Sequence, residues 1–192
     1  MLQIHEDLNR VQKAFKNYAN KNTVDIPENG LDYYKGSWSA SILFFMKYID
    51  TDLIEDKNLL KALKYLMDIG FIGATYNIFK KGTEVPLHDD SDLILMDGII
   101  RVFIPLEQGY NFEFEGSYIN LETFEVSRGF KEPDDLPIYF LPRSDHSYKN
   151  LDSFDHKFII GDLLPNPDLN NPEVLDALRH YCSTALFTYG GK

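Results

Sequence analysis

The change from helical to extended structure in this chain falls at Phe71-Ile-Gly-Ala-Thr-Tyr-Asn-Ile-Phe-Lys-Lys-Gly-Thr-Glu-Val-Pro-Leu-His-Asp-Asp90. Just before it, an apolar stripe that includes Leu59, Leu63 and Leu66 has helical spacing, and Gly70 occupies the position that ends a helix. Inside it, aromatic and β-branched residues precede a Gly-Thr turn, which is typical of strands. The segment therefore predicts that a β core begins at residue 71.

The rest of the core is predicted from short segments rich in aromatic and β-branched residues and separated by Gly, Pro and Asp. The seven predicted strands are 71–80, 98–106, 110–115, 117–128, 137–142, 145–150 and 156–164. Strands at this spacing favour a sandwich or jelly roll over parallel βαβ units. We therefore expect a mainly β protein with a jelly-roll core.

Helices are predicted on both sides of this core. Apolar residues at helical spacing predict an amphipathic helix over 5–19, and Pro172 begins a last helix. Residues 39–48 are ambiguous and are interpreted as more helical than extended. The expected single domain of residues 1–192 has three parts, which are an N-terminal helical part, 1–70, the jelly-roll core, 71–164, and a C-terminal helical tail, 165–192.

Composition limits the classes of function. The chain has 44% hydrophobic and 14% aromatic residues, which indicates a globular protein. Its formal charge of −11 is unlike the basic surface that binds nucleic acid or anionic membrane, so neither partner is expected. Cys182 is the only cysteine, so an intramolecular disulfide is excluded. The first ten residues lack the pattern of a secretory signal, and no apolar run is long enough to span a membrane. We therefore expect a cytoplasmic protein.

His88, Asp90 and His146 have the composition of a 2-His-1-carboxylate metal site. A His-x-Asp pair on an extended segment points both side chains to one face, because strand side chains repeat every second residue. A third ligand from a distant strand would close one face of an octahedral metal and leave the other face open, as in non-heme Fe(II) oxygenases. The alternatives are an exposed acidic turn for His88 and Asp90, and a surface loop for His146.

Four motifs in order resemble the aspartyl/asparaginyl β-hydroxylase family of Fe(II)- and 2-oxoglutarate-dependent oxygenases. They are the segment from Ala74 to His88, Arg101-Val-Phe-Ile-Pro-Leu106, His146-Ser-Tyr-Lys-Asn150 and His156-Lys-Phe-Ile-Ile-Gly-Asp162. The resemblance covers about residues 60–164. It implies a double-stranded β-helix (cupin-like) fold, Fe(II) as metal, 2-oxoglutarate as co-substrate, O₂, and a peptide or small-molecule substrate.

Carried over by position, the resemblance makes His88 and His146 the iron-binding imidazoles and Asp90 the carboxylate ligand. It also places Arg101 and Asn77 at positions that contact 2-oxoglutarate. For Arg101, a structural salt bridge explains a lone charge on an apolar strand equally well.

Two positions depart from the family pattern. His156 stands where the family has its second co-substrate arginine, ten residues after His146, and Lys157 is one step away. Either could bind the co-substrate carboxylate, although neither matches the bidentate geometry of arginine. Phe103 stands where the family has a histidine two residues after Arg101.

Three functions remain open from the sequence. The first is an Fe(II)- and 2-oxoglutarate-dependent dioxygenase that hydroxylates an amino-acid side chain, in a protein or free, or a related metabolite. The second is a non-catalytic jelly-roll binding or structural protein with a degenerate co-substrate site. The third is a cupin-type metal-dependent isomerase or hydrolase, which would be active without O₂. Trp38, with Tyr33 and Tyr34, shapes either a substrate entrance or a cap on the core.

Overall fold

The computed structural model describes residues 2–18, 24–25, 38–46, 48–49, 55–131 and 137–189. Within these ranges the helices are α1 Leu2–Phe15, α2 Lys57–Asp68 and α3 Pro172–Tyr189. The strands are β1 Val24–Asp25, β2 Trp38–Phe45, β3 Tyr48–Ile49, β4 Phe71–Phe79, β5 Glu84–His88, β6 Ile100–Pro105, β7 Phe112–Ile119, β8 Val126–Lys131, β9 Ile138–Phe140, β10 His146–Asn150 and β11 His156–Leu163.

The strands form one curled antiparallel sheet in the order β1-β2-β4-β11-β6-β9-β7-β10-β5, with β3 on β2 and β8 on β7. The curl brings β4, β11 and β6 opposite β7, β10 and β5. Buried aromatic side chains fill the space between these two halves, among them Phe79, Phe103, Phe114, Tyr148 and Phe158. The expected mainly β, jelly-roll fold is confirmed.

The helices cover the outside of the sheet. Leu8, Val11 and Phe15 of α1 pack with Leu63 and Leu66 of α2 against the outer face of β4 and β6. The Asp56 carboxylate caps α2 by accepting from the backbone N–H groups of residues 58 and 59. Gly70 follows α2 at φ +102°, as its predicted role in ending the helix requires. The described helices include none that is long and apolar enough to cross a membrane.

The prediction that residues 39–48 are helical is wrong. Residues 38–45 form β2, which pairs along β4 from Trp38↔Phe79 to Phe45↔Gly73. Both faces of β2 are buried, because Leu43 and Phe44 face the α1–α2 side and Ile42 and Phe45 face α3. A strand buried on both faces has a continuous apolar run, which periodicity cannot separate from a helix. The boundary expected at residue 71 therefore does not separate helices from strands.

The predicted strands 110–115 and 117–128 have different bounds in the structure. One strand, β7, spans the gap between them, and a turn at 120–125 leads to β8. The Asn120 side chain stabilises this turn by accepting from the N–H groups of Glu122 at 2.7 Å and Thr123 at 3.2 Å.

Candidate metal centre

The three predicted ligands meet at one rim of the sheet. His88 ends β5 and lies directly opposite His146 of β10 in the antiparallel register. Asp90 follows β5 and is held by its N–H, which donates to the Pro142 carbonyl at 2.9 Å. One donor atom from each of the three ligands lies within 4.8 Å of the others. The structure thus brings together residues that lie as many as 58 positions apart in sequence.

Both imidazoles present the same nitrogen to this cluster. His88 Nδ1 donates to the Pro86 carbonyl at 2.8 Å, and His146 Nδ1 donates to the Ser144 carbonyl at 2.9 Å. A carbonyl oxygen only accepts, so in a neutral ring the Nε2 lone pair is left for a ligand. His88 Nε2 lies 3.8 Å from Asp90 Oδ1, and His146 Nε2 lies 3.5 Å from Asp90 Oδ2.

Burial keeps His146 neutral. Desolvation lowers the pKa of His146 to about 4, although the Asp90 carboxylate opposes this shift. Neutral imidazole is the form that binds a metal, so His146 is in its ligand form at neutral pH. Two imidazole nitrogens and one carboxylate fit Fe(II), and such a donor set also suits Ni²⁺, Co²⁺ and Zn²⁺.

Arg101 joins the cluster through an ion pair with Asp90. Its Nη1 donates to Asp90 Oδ2. Its other face binds Asp162 of β11, with Nε to Oδ1 at 2.7 Å and Nη2 to Oδ2 at 2.9 Å. Asp162 also accepts from the Tyr181 hydroxyl of α3 at 2.7 Å. Arg101 therefore makes the salt bridges expected of a lone charge on an apolar strand, and its contact with the co-substrate remains a prediction.

A cavity of about 270 Å³ opens beside the three ligands. Its polar wall includes Asn77, Arg101 and Asp162, and Phe79 and Ile160 contribute to its apolar wall. The volume suits a small molecule or one amino-acid side chain. Apolar walls beside a metal site exclude water and orient a bound ligand.

Asn77 lies in the same cavity as the ligands. It is fully buried, accepts from Trp38 Nε1 at 2.9 Å, and donates to the Thr75 hydroxyl at 2.8 Å. Trp38 also lines the cavity, whereas Tyr33 and Tyr34 lie outside the described residues. Asn77 as a contact to the co-substrate remains a prediction.

His156 is not among the residues that line the cavity. Its Nε2 donates to Asp152 Oδ2 at 2.8 Å, and its Nδ1 accepts from the Tyr148 hydroxyl at 2.5 Å. The Tyr110 ring stacks on it at 4.2 Å between centroids. Desolvation lowers the pKa of His156, and Asp152 opposes the shift. His156 is therefore a neutral ring with both nitrogens engaged within the protein.

Lys157 is not among the residues that line the cavity, whereas Phe103 contributes to its apolar wall. The Lys157 side chain is 39% exposed, and its Nζ is 3.6 Å from Glu107 Oε1. The Phe103 ring is packed between the two halves of the sheet, 5.4 Å from the ring of Phe114 and 5.5 Å from that of Phe158. The position of the family histidine is thus part of the aromatic core.

Two residues of the site were missed from the sequence. Asp162 is a single charge in the apolar segment Ile159-Ile-Gly-Asp-Leu-Leu164, just as Arg101 is a single charge on an apolar strand. Because a buried charge needs a partner of opposite sign, a salt bridge between the two could have been predicted. Tyr181 carried no signal, because a tyrosine on an amphipathic helix is usual in a core.

Comparisons with known proteins give low identities. No protein-family profile matches the chain, and no curated protein matches it in sequence. A solved oxidoreductase of the 2-oxoglutarate-Fe(II) oxygenase family from Burkholderia pseudomallei is 11% identical with a TM-score of 0.47, over 81% of this chain and 77% of that one. A Pseudomonas putida prolyl-4-hydroxylase is 10% identical with a TM-score of 0.45, over 84% and 87%. The Schizosaccharomyces pombe Cnp3 cupin domain is 13% identical with a TM-score of 0.37, over 79% and 100%. These likenesses concern the fold, and the chemistry of the site rests on its own residues.

Proposed function

We propose that this protein is an Fe(II)- and 2-oxoglutarate-dependent dioxygenase of the aspartyl/asparaginyl β-hydroxylase type. The observation that carries the proposal is the convergence of His88 Nε2, His146 Nε2 and an Asp90 oxygen beside an open cavity. The second hydrogen bond of each imidazole supports the same role, since metal-binding histidines usually donate their other nitrogen to a fixed acceptor.

Each group of the site has a proposed task. His88, Asp90 and His146 would hold the iron from one side and leave the cavity side open. Bound Fe(II) would supply O₂ activation, coupled to conversion of 2-oxoglutarate to succinate and CO₂ and to insertion of one oxygen atom into a substrate C–H bond. The apolar wall around Phe79 and Ile160 would exclude water from the reacting atoms. The cavity volume supports an amino-acid side chain or a small metabolite as substrate.

The test is anaerobic absorption spectroscopy of the metal-free protein with Fe(II) and then with 2-oxoglutarate. We expect a visible metal-to-ligand charge-transfer band that requires both additions. His88→Ala should abolish it, because one of the two imidazole ligands is lost. His5→Ala is the matched control, since residue 5 lies in α1. Absence of the band in iron-loaded wild-type protein would contradict the use of 2-oxoglutarate.

A second candidate function is a metal-binding jelly-roll protein that does not turn over 2-oxoglutarate. This function is favoured because both residues expected to bind the co-substrate carboxylate contact other residues of the protein. His156 bonds to Tyr148 and Asp152, and Lys157 lies near Glu107. A buried co-substrate carboxylate needs a paired cation, and Arg101 already binds two carboxylates. Succinate formation, followed by NMR in air with Fe(II) and 2-oxoglutarate, separates the two candidates, because only the dioxygenase produces it.

A further inference from the structure

The metal centre is linked to the C-terminal helix by a chain of buried polar contacts. We propose that Arg101, Asp162 and Tyr181 are positioning residues of the metal centre, and that α3 is energetically coupled to the bound metal. This inference rests on the metal site of the proposed function and is independent of the co-substrate.

Arg101 is held in one orientation by Asp162. The two residues are register partners on β6 and β11, and both oxygens of Asp162 accept from the guanidinium. The side chains are 11% and 7% exposed, so water competes little for these bonds. Because the guanidinium is a rigid fork, fixing Nε and Nη2 on Asp162 also fixes the direction of Nη1, which binds Asp90.

Asp162 also offsets the positive charge that Arg101 brings next to Asp90. A lone Arg101 cation beside Asp90 would orient the carboxylate but would repel a divalent metal bound to it. The charge of Asp162 offsets that of Arg101, so the pair is neutral as a unit. Asp90 can then be oriented by a strong hydrogen bond without a net positive neighbour that opposes the metal.

Tyr181 extends the link to α3. Its hydroxyl donates to Asp162 Oδ2 at 2.7 Å, and its ring is 2% exposed and packs edge-on against Phe45 at 5.4 Å. Gly73 leaves room for this hydroxyl, because a Cβ at that position would lie 2.6 Å from it. A neighbouring residue of α3, His180, donates from Nε2 to the Asp92 carbonyl at 3.1 Å. The helix therefore contacts the site through Asp162 and through the segment that follows Asp90.

The test uses Co(II) alone, whose visible absorption reports coordination. Asp162→Asn keeps the shape of the side chain but removes its charge, and we expect Co(II) affinity to fall about tenfold or more, as for other groups that orient metal ligands. Tyr181→Phe removes one hydroxyl, and its expected loss is smaller. Tyr76→Phe is the matched control, because its hydroxyl bonds to the Tyr18 carbonyl on the other side of β4. Co(II) affinity should be unchanged in this control.

Coupling to α3 has its own readout in hydrogen exchange. In the wild-type protein, Co(II) should slow amide exchange within Pro172–Tyr189, and this protection should be lost or strongly reduced in Tyr181→Phe. The inference would be overturned if Co(II) protected α3 equally in wild type and Tyr181→Phe, and if Asp162→Asn and Tyr181→Phe both had the Co(II) affinity and spectrum of the wild type. That outcome would leave the proposed metal site intact. Failure of the wild-type protein to bind Co(II) would overturn both. Tyr181→Phe keeps the test decisive if Asp162→Asn does not fold.

Discussion

Two buried histidines, His146 and His156, illustrate how single residues acquire different roles in this protein. His146 uses Nδ1 for a backbone carbonyl and directs Nε2 toward Asp90. His156 uses both ring nitrogens within the protein, for Tyr148 and Asp152. Burial lowers the pKa of both rings, so both are neutral when folded at neutral pH. A difference in hydrogen bonding, and not in burial, distinguishes the candidate ligand from the structural residue.

This role of His156 predicts how stability depends on pH. Its pKa is lowered on folding, so the unfolded chain takes up a proton near pH 6.5, whereas the folded protein does so only at a lower pH. The contribution of His156 to the free energy of unfolding is therefore complete above that pH and falls as the pH decreases. We expect a smaller loss of stability between about pH 7.5 and about pH 5 in His156→Gln than in wild type, because one such histidine is removed.

Urea denaturation of both metal-free proteins at the two pH values measures this difference. His156→Gln also loses hydrogen bonds, so it should be less stable at each pH, and the readout is the change with pH. Equal losses for the two proteins would contradict a neutral, buried His156.

At the scale of elements, β2 and α3 pack against each other beside the cavity of the candidate metal centre. Phe45 of β2 packs against Tyr181 of α3, and Gly73 of β4 lies beneath both side chains. A side chain at residue 73 would contact the Phe45 ring and the Tyr181 hydroxyl. The close approach of these three elements therefore depends on a residue without a Cβ.

This packing predicts that Gly73→Ala is destabilising. The added methyl group must displace an aromatic ring or the tyrosine hydroxyl, and overpacking of this kind costs roughly 1–3 kcal/mol. Gly129→Ala on β8 is the matched control, because no atom of the described residues lies within 4 Å of its added Cβ. Chemical denaturation of the two variants measures the difference, and equal stabilities would show that the α3 end of the sheet adjusts without cost.

At the scale of the whole molecule, the curl of the sheet brings the candidate metal ligands and their ion-pair partners together. His88 and His146 lie on neighbouring strands, whereas Arg101 and Asp162 come from the opposite half of the sheet. Asp90 bridges the two halves through its contact with Arg101. A bound metal would therefore strengthen an assembly that already joins β5, β10, β6 and β11.

Metal binding should accordingly stabilise the whole fold. A divalent ion at a hundredfold excess over its Kd adds about 2.7 kcal/mol to the free energy of unfolding when it binds the folded state alone. We expect thermal denaturation with Co(II) to show a higher midpoint for wild type and a much smaller shift for Asp90→Asn, which keeps its shape but lacks the anionic ligand. A chelator should reverse the shift, and equal shifts in both proteins would place the metal elsewhere.

Local patterns in the sequence were enough to predict much of this fold and the candidate ligands. The helical stripe ended by Gly70, the helix begun by Pro172 and five of the seven predicted strands follow from local sequence and are present in the structure. The exceptions are the predicted strands 110–115 and 117–128, whose bounds differ. His88 and Asp90 belong to one short motif, and the spacing of the later motifs pointed to His146. These features could be predicted because the residues that indicate each of them lie within a few positions of one another.

The packing partners of these residues follow from the fold and could not be predicted from local sequence. Residues 38–45 became a strand because both faces of β2 are buried, which no local period reports. Arg101 binds Asp90 and Asp162 because the folded sheet places these residues side by side. For the same reason His156 bonds to Tyr148 and Asp152. Residue identities and local motifs indicated which groups could act as metal ligands. The fold determined their environment, because burial and charge pairing depend on residues brought together from distant parts of the chain.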